Sequence, residues 1–308
     1  MISDDASTDR TVALCHEFAA GAEFPVRVLV NPAALGASRN RAQSIEACSG
    51  SIVALADQDD VWRPAKLGRL ETVLRAADAP ALAFSDGDVV DRSLRPLGPG
   101  IWDAVGFDAT RRARDAAGHA FVELLDRNVV AGPTAAFRAE HAELALPSPA
   151  VVRADAWLGL VAAATDRVVA VPDRLVAYRQ SPGQQLGAGL ARSARARRRL
   201  IHAVPLQLRA RRERPSPLAT RLTRLEAIRD RLAALDGGPH PPHPGCVDAV
   251  DDRLAHWRTR AQLPRSRRAR WSTIRAELET GRYRHYSLGP WSAAADLVLP
   301  LPPAPAGA

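Results

Sequence analysis

Lysine is nearly absent: Lys66 is the only one in 308 residues, so the formal net charge of +8 is carried almost wholly by arginine. Arginine on this scale suits phosphate recognition, or is simply the habit of an Ala- and Arg-rich chain, and composition does not choose between them. Cysteine is also scarce. Cys15, Cys48 and Cys246 are far apart, odd in number and without a CxxC pair, which argues against a disulfide framework or a zinc site and fits a reducing cytoplasm. Long hydrophobic runs are missing. None approaches the roughly 20 residues that cross a bilayer, and the N-terminus lacks the charged-then-apolar pattern of a signal. The chain is therefore expected to be cytoplasmic, soluble or at most peripheral at the inner face of the plasma membrane.

The charge that is present is unevenly placed. Residues 1–189 hold 19 Lys+Arg against 24 Asp+Glu, and residues 190–308 hold 23 against 10, so an acidic part precedes a strongly basic one. The length allows a full core, as one large or two modest domains. The division expected is an α/β domain over 1–189, a basic helical region over 190–299 and a disordered tail over 300–308.

The most informative stretch is Ser51 to Trp62. Ile52 to Ala56 run without polar interruption into Asp57, Asp59 and Asp60, which reads as a buried strand ending in a carboxylate cluster. Three acids within four positions repel one another, and a bound divalent cation with hard oxygen ligands, Mg²⁺ or Mn²⁺, is the simplest explanation. An acidic turn that caps a helix beginning near Pro64 accounts for Asp60 but not for Asp57.

Around this stretch strands and helices alternate. Ile2-Ser3 is a strand end with Asp4 and Asp5 as its polar edge, and Ser7 to Asp9 lead into a helix through Phe18. Solvated aspartates beside a helix cap fit the same residues. Pro25 to Val30 is a second strand ending at Asn31, and Gly36 to Cys48 is a loop and a helix that carries Arg39, Asn40 and Arg41. Such alternation predicts an α/β fold with an open, mostly parallel sheet flanked by helices, binding ligands beyond the C-terminal ends of its strands. Asp4, Asp5, Asn31, Asp57 and Asp59 all fall at such ends.

Further on, Lys66 to Ala77 is an amphipathic helix with Leu67, Leu70 and Leu74 on one face. Ala81 to Phe84 is a strand, and the acids from Asp86 to Asp91 read as turn chemistry. Residues 95–118 read as a loop, Ala120 to Leu125 as a helix and Ala135 to Phe137 as a short strand. Arg153 to Ala164 places Asp155 at a helix start, where the dipole favours an anion and where a plain cap is the simplest role. Val168 to Val171 and Leu175 to Tyr178 are strands. Helices are expected over Leu218 to Leu235, Val247 to Leu263 and Arg268 to Thr280. The linker GGPHPPHP at 237–244 offers His240 and His243 no partner for a metal site.

In their order, these motifs resemble the family 2 glycosyltransferases of GT-A fold, in particular the rhamnosyltransferase-like branch that builds bacterial surface polysaccharides. ISDDASTD at 2–9 resembles the family's nucleotide-binding turn; Asn31, Gly36 and Asn40 sit where its N…G…N pattern falls; DQDDVWRPAKL at 57–67 resembles its metal-binding segment. NVVAGPTAAFR at 128–138, ADAWL at 154–158, YRQ at 178–180 and GRYRHYSLGPWSAAADLVL at 281–299 follow in sequence, so the resemblance extends along the chain. It departs from the pattern at Ala156, where a Trp is common, and in three further places. The family's first strand, ending in a Pro-Thr-Tyr-Asn-like turn, has no counterpart before Ile2; Ser181 stands for a histidine after YRQ; and Arg153-Ala154 precede Asp155 where a histidine is usual.

The resemblance implies an inverting transfer of a sugar, rhamnose among the candidates, from a nucleotide-diphosphate donor to a hydroxyl of a polysaccharide or lipid-linked acceptor. Asp59, with Asp57, would hold Mg²⁺ or Mn²⁺; Asp4, Asp5, Asn40 and Asp57 would bind the donor nucleotide; Asp155 would be the general base. Two other readings stay open. The same fold without the chemistry would be an inactive remnant or a binding subunit, and Asp57-x-Asp59-x-Val61 also resembles the nucleophile segment of haloacid-dehalogenase-type phosphatases. The stretch 192–214, with apolar residues among its arginines, is expected to contact anionic membrane or to be a solvated face. Nucleic acid is not expected, since no aromatic residue lies within 192–214 to stack on bases.

Overall fold

The computed structural model describes residues 1–180 and 217–298, which fall into two compact units, Met1–Ala194 and Arg195–Ala308. The arginine-rich stretch 192–214 and the tail 300–308 lie outside the described residues.

The first unit opens with β1 (Ile2–Asp4), α1 (Thr11–Gly21), β2 (Val28–Val30) and α2 (Ala37–Glu46). β1 and β2 pair in parallel, Ile2 opposite Val28 and Asp4 opposite Val30, which requires a crossover such as α1 supplies. Asp9 starts that helix by accepting from the Thr11 backbone N–H at 2.9 Å and the Thr11 hydroxyl at 2.5 Å. Then come β3 (Ile52–Ala54), β4 (Val61–Trp62), α3 (Lys66–Leu74), β5 (Leu82–Val90), β6 (Pro96–Gly100), α4 (Ile101–Val105), α5 (Ala109–Arg114) and α6 (Ala120–Asp126). The unit closes with β7 (Ala135–Arg138), α7 (Ala139–Ala145), α8 (Ala154–Thr165) and β8 (Val168–Arg179). The stretch 95–118, read as a loop, is thus a strand and short helices. Its small residues reflect close packing: a Cβ at Gly100 would stand 2.5 Å from the Asp86 carboxylate.

β5 is the spine of the larger sheet, whose order is β3-β7-β5-β8-β4 with β6 also on β5. β8 runs parallel along the whole of β5, while β7 pairs antiparallel with Leu82–Phe84 and β6 antiparallel beyond them. β3 joins β7 and β4 joins β8, both antiparallel. Two of the six pairings among the described residues are therefore parallel, so the α/β class holds with a mixed sheet where a mostly parallel one was expected. The strand–helix alternation that predicts parallel pairing ends after the first sixty residues. From β5 to β6 the chain reverses in a tight turn, which antiparallel strands permit. Asp91 builds that turn by accepting from Ser93 and Arg95 N–H at 2.8 and 3.0 Å. Asp86 and Asp88 lie inside β5 instead of in a turn. The two strands expected over 168–178 are one, because a bulge opposite Ser85 and Asp86 absorbs Pro172 and Asp173.

Burial follows the sheet. Leu82, Ala83, Phe84 and Phe137 are wholly buried, and every residue of α8 is buried. On α3 the inward face is Lys66, Leu70 and Leu74, four residues apart, whereas Leu67 is 51% exposed. The only lysine thus takes the inward place expected of a leucine. Leu70 and Leu74 pack with Ala83, Ala136, Val171 and Leu175.

The second unit is helical over its described residues: α9 (Pro217–Leu235), α10 (Cys246–Ala261), α11 (Arg267–Glu279), α12 (Arg282–Tyr286) and α13 (Pro290–Val298). α9 and α10 lie antiparallel, as the ion pairs Arg229–Asp251 and Glu226–Arg258 show. Ile274, Tyr283 and Ala293 form a small core. Beside it Arg260 and Asp296 make a buried two-pronged bond at 2.6 and 3.0 Å, to which Tyr283 adds its hydroxyl at 3.0 Å. Among the described residues no helix is long and apolar enough to cross a membrane.

Candidate functional site

The sequence places the candidate acids at strand ends, and the fold collects them around α2. At the ends of β1 and β2, Asn40 donates to the Ser3 carbonyl at 2.9 Å and accepts from the Ser3 hydroxyl at 2.5 Å and from Asn31 Nδ2 at 2.9 Å. Asp5 accepts from the backbone N–H of Leu35 at 2.7 Å and Gly36 at 2.8 Å, and from Asn31 at 3.1 Å. These donors, led by Leu35, hold its carboxyl below the usual range. Gly36, at φ +83°, gives the loop the left-handed turn that aims its N–H at Asp5. Asp4 is buried and accepts from Ser7 N–H at 2.9 Å. Of the four residues expected to bind a nucleotide, Asp5 and Asn40 thus share, through Asn31, one polar network that also fixes the loop before α2, and Asp4 joins it through its carbonyl, which accepts from Asn31 N–H at 3.0 Å.

Arg41, next along α2 from Asn40, bonds to Asp57. Asp57, Asp59 and Asp60 form the turn between β3 and β4, closed by Asp60 N–H to the Asp57 carbonyl at 3.3 Å. Burial raises the Asp57 carboxyl, Arg41 opposes it, and the charges of Asp155 and Asp59 raise it further. Asp60 does not cap α3, whose N-cap Ala65 has no side-chain bond. It accepts instead from Arg179 N–H at 2.9 Å, tying the acid turn to the Tyr178-Arg179-Gln180 end of β8. Burial pushes the Asp60 carboxyl up to about 7, and its Oδ2 is buried without a hydrogen-bond partner among the described residues.

Beneath the turn lies Lys66. Its ammonium donates to the Leu55 carbonyl at 3.1 Å and sits 3.5 Å from the centre of the Trp62 ring, so it links the end of β3 to β4. Burial draws its pKa down to about 7 against the pull of Asp60 and Asp57.

Asp155 stands in the first turn of α8, 1% exposed. It accepts from Gly132 N–H at 3.1 Å, from Arg153 Nε at 3.1 Å and from Ala156 N–H at 2.7 Å, and Arg153 Nη2 makes a second contact. Gly132 lies between the two charged groups, and a Cβ there would stand 2.8 Å from Arg41 Nη1 and 3.6 Å from Asp155 Oδ2. Arg41, Asp57, Gly132 and Asp155 are therefore neighbours. Arg41 and Arg153 are the residues that sequence reasoning missed. The only signals were adjacency to Asn40 for the first and, for the second, the presence of Arg153-Ala154 where a histidine is usual.

The donor set of this turn is carboxylate oxygen, with raised pKa values and an orphaned buried oxygen on Asp60, as a hard cation would suit. Among the described residues no three His, Cys, Asp or Glu side chains converge on one point. The fit is thus to a cation taking one or two protein carboxylates and completing its shell from water and substrate phosphate, the usual habit of Mg²⁺.

Residues 1–89 match the model of the Glycosyl transferase family 2, so the resemblance read from the motifs is borne out at the level of the family over that segment, and the match does not extend to the rhamnosyltransferase-like branch. No curated protein matches the chain. Among solved structures, TarS 1–349 of S. aureus is 13% identical, covering 92% of this chain and 81% of that one with a TM-score of 0.46. Glucosyl-3-phosphoglycerate synthase of Mycobacterium tuberculosis, solved with Mn²⁺, UDP-glucose and phosphoglyceric acid, is 22% identical over 62% of this chain and 64% of that one, with a TM-score of 0.37.

Proposed function

We propose that this protein is a metal-dependent, inverting glycosyltransferase that moves a sugar from a nucleotide-diphosphate donor to a hydroxyl of a polysaccharide or lipid-linked acceptor. The observation that carries the reading is the meeting of the Asp57–Asp60 turn with Asp155 at the start of α8, in a chain whose first 89 residues match the family 2 model. The branch resemblance of its motifs makes a rhamnose donor the first to test.

Asp59, with Asp57, would hold Mg²⁺ or Mn²⁺, which supplies neutralisation of the charge that grows on the departing diphosphate. Asp4, Asp5 and Asn40 give the nucleotide side of the site, with the loop 31–36 already fixed by Asp5. Arg41 holds Asp57 in place. Asp155 takes the proton from the acceptor hydroxyl as the new carbon–oxygen bond forms, and attack opposite the leaving group inverts the anomeric centre. Both its oxygens are engaged by Arg153, so one must be released before it can accept that proton.

Asp155→Asn tests this assignment. Donor binding is expected to persist while sugar transfer falls by at least about 10²-fold, as on loss of a general base. Equal losses of binding and transfer would make Asp155 a structural cap. Release of phosphate from a phosphomonoester by the wild type would favour the phosphatase reading, and neither activity would favour an inactive remnant.

A further inference from the structure

The second unit holds a set of arginines that the transferase reading does not use. Arg221 and Arg224 stand one turn apart on α9 and meet α10. The Arg221 guanidinium lies 4.6 Å from the centre of the buried Trp257 ring, and the Arg260 guanidinium 4.7 Å from the same ring. Arg253, one turn before Trp257, lies 4.8 Å over Tyr286. Two nitrogens of Arg224, Nε and Nη2, are buried and have no hydrogen-bond partner among the described residues.

The nearby acids are engaged with other cations. Glu226 pairs with Arg258, Asp251 with Arg229, Asp252 with Arg282 and Tyr286, and Asp296 with Arg260. Burial lowers the pKa of Arg224, and the charges of Arg253 and Arg221 lower it further. Crowding like charges beside the buried nitrogens of Arg224 is costly without a counter-charge, and guanidinium forks against aromatic walls suit a tetrahedral oxyanion.

We propose that α9 and α10 form a binding site for a phosphoryl anion, held by Arg221 and Arg224 against Trp257. The site lies within the second unit and binds without a divalent cation. Phosphoryl groups of this kind occur on soluble phosphorylated compounds and on lipid headgroups, and both would be read by the same forks.

The test uses the full chain in divalent-free buffer. Sodium pyrophosphate is titrated by calorimetry and by thermal melting, and phosphatidylglycerol vesicles are compared with phosphatidylcholine vesicles by co-sedimentation. Pyrophosphate is expected to raise the melting temperature of the wild type and of Asp59→Asn alike. Arg224→Gln is expected to weaken binding by at least about tenfold, as for loss of a charge-assisted hydrogen bond, while melting no lower than the wild type in phosphate-free buffer. Arg221→Gln, at an exposed residue, should weaken it in the same direction and guards against a folding defect in the first variant. Vesicle binding lost in the same variants would assign the site to a headgroup; pyrophosphate binding alone would assign it to a soluble phosphate. Binding by neither probe, or binding undiminished in both variants, would overturn the proposal.

Discussion

At the residue scale the acid turn is the part most legible in the sequence. Asp57, Asp59 and Asp60 follow an apolar run, and their repulsion is visible without coordinates. What holds them was not legible. Lys66 reads as the first polar residue of an amphipathic helix, yet it points inward, because its ammonium finds both the Leu55 carbonyl and the Trp62 ring beneath the turn. Arg41 and Arg153 are equally silent in sequence, since a pairing across a fold leaves no local pattern. Lys66→Met keeps length and apolar bulk but withdraws the ammonium. Metal-dependent affinity for a nucleoside diphosphate is expected to fall about tenfold, the effect of one charge-assisted bond. Calorimetry reads this, and unchanged affinity would leave Lys66 as packing alone.

At the element scale the alternation of strand and helix predicted the elements through β3 and the helix α3, though not the short strand β4 between them, and the helices expected over Arg153 to Ala164 and Leu218 to Leu235 are α8 and α9. It failed where β5 continues through Asp86 and Asp88, because acids normally end a strand and here they are bonded within the sheet. Asp86 accepts from the N–H groups of Gly87 and Trp102 at 2.8 and 3.0 Å, while Arg174 reaches Asp88 at 3.1 Å. The stretch 95–118 failed for a related reason, its glycines and prolines serving close packing as well as turns.

The turn Asp115–His119, kinked at Gly118 (φ +89°), leads into α6 and carries the buried carboxyl of Asp115. Asp115 is 6% exposed, and burial, then the charge of Glu123, push its carboxyl up from 3.8 to about 6. The unfolded chain ionises this group near 3.8 while the folded one keeps its proton to about 6, so stability present below the lower value is lost as pH rises through the upper. Asp115→Asn should therefore melt with the wild type near pH 4 and above it at pH 7.5. The gain is about 2–3 kcal/mol, because each tenfold change in proton affinity between the folded and unfolded chain is worth about 1.4 kcal/mol. A difference that does not change with pH would show that the charge of Asp115 carries no such cost.

At the scale of the whole molecule the account rests on one claim: the first unit binds a nucleotide diphosphate through a cation held at the Asp57–Asp60 turn. The family 2 match spans that turn, and the raised carboxyls of Asp57 and Asp60 are those a cation would relieve. Calorimetric titration of a nucleoside diphosphate with and without Mn²⁺, for the wild type and Asp59→Asn, tests it most directly. The account predicts binding by the wild type that requires Mn²⁺ and is abolished in Asp59→Asn, whose amide lacks the charge the cation needs. Undiminished Mn²⁺-dependent affinity in the variant, or no binding by the wild type, would contradict it.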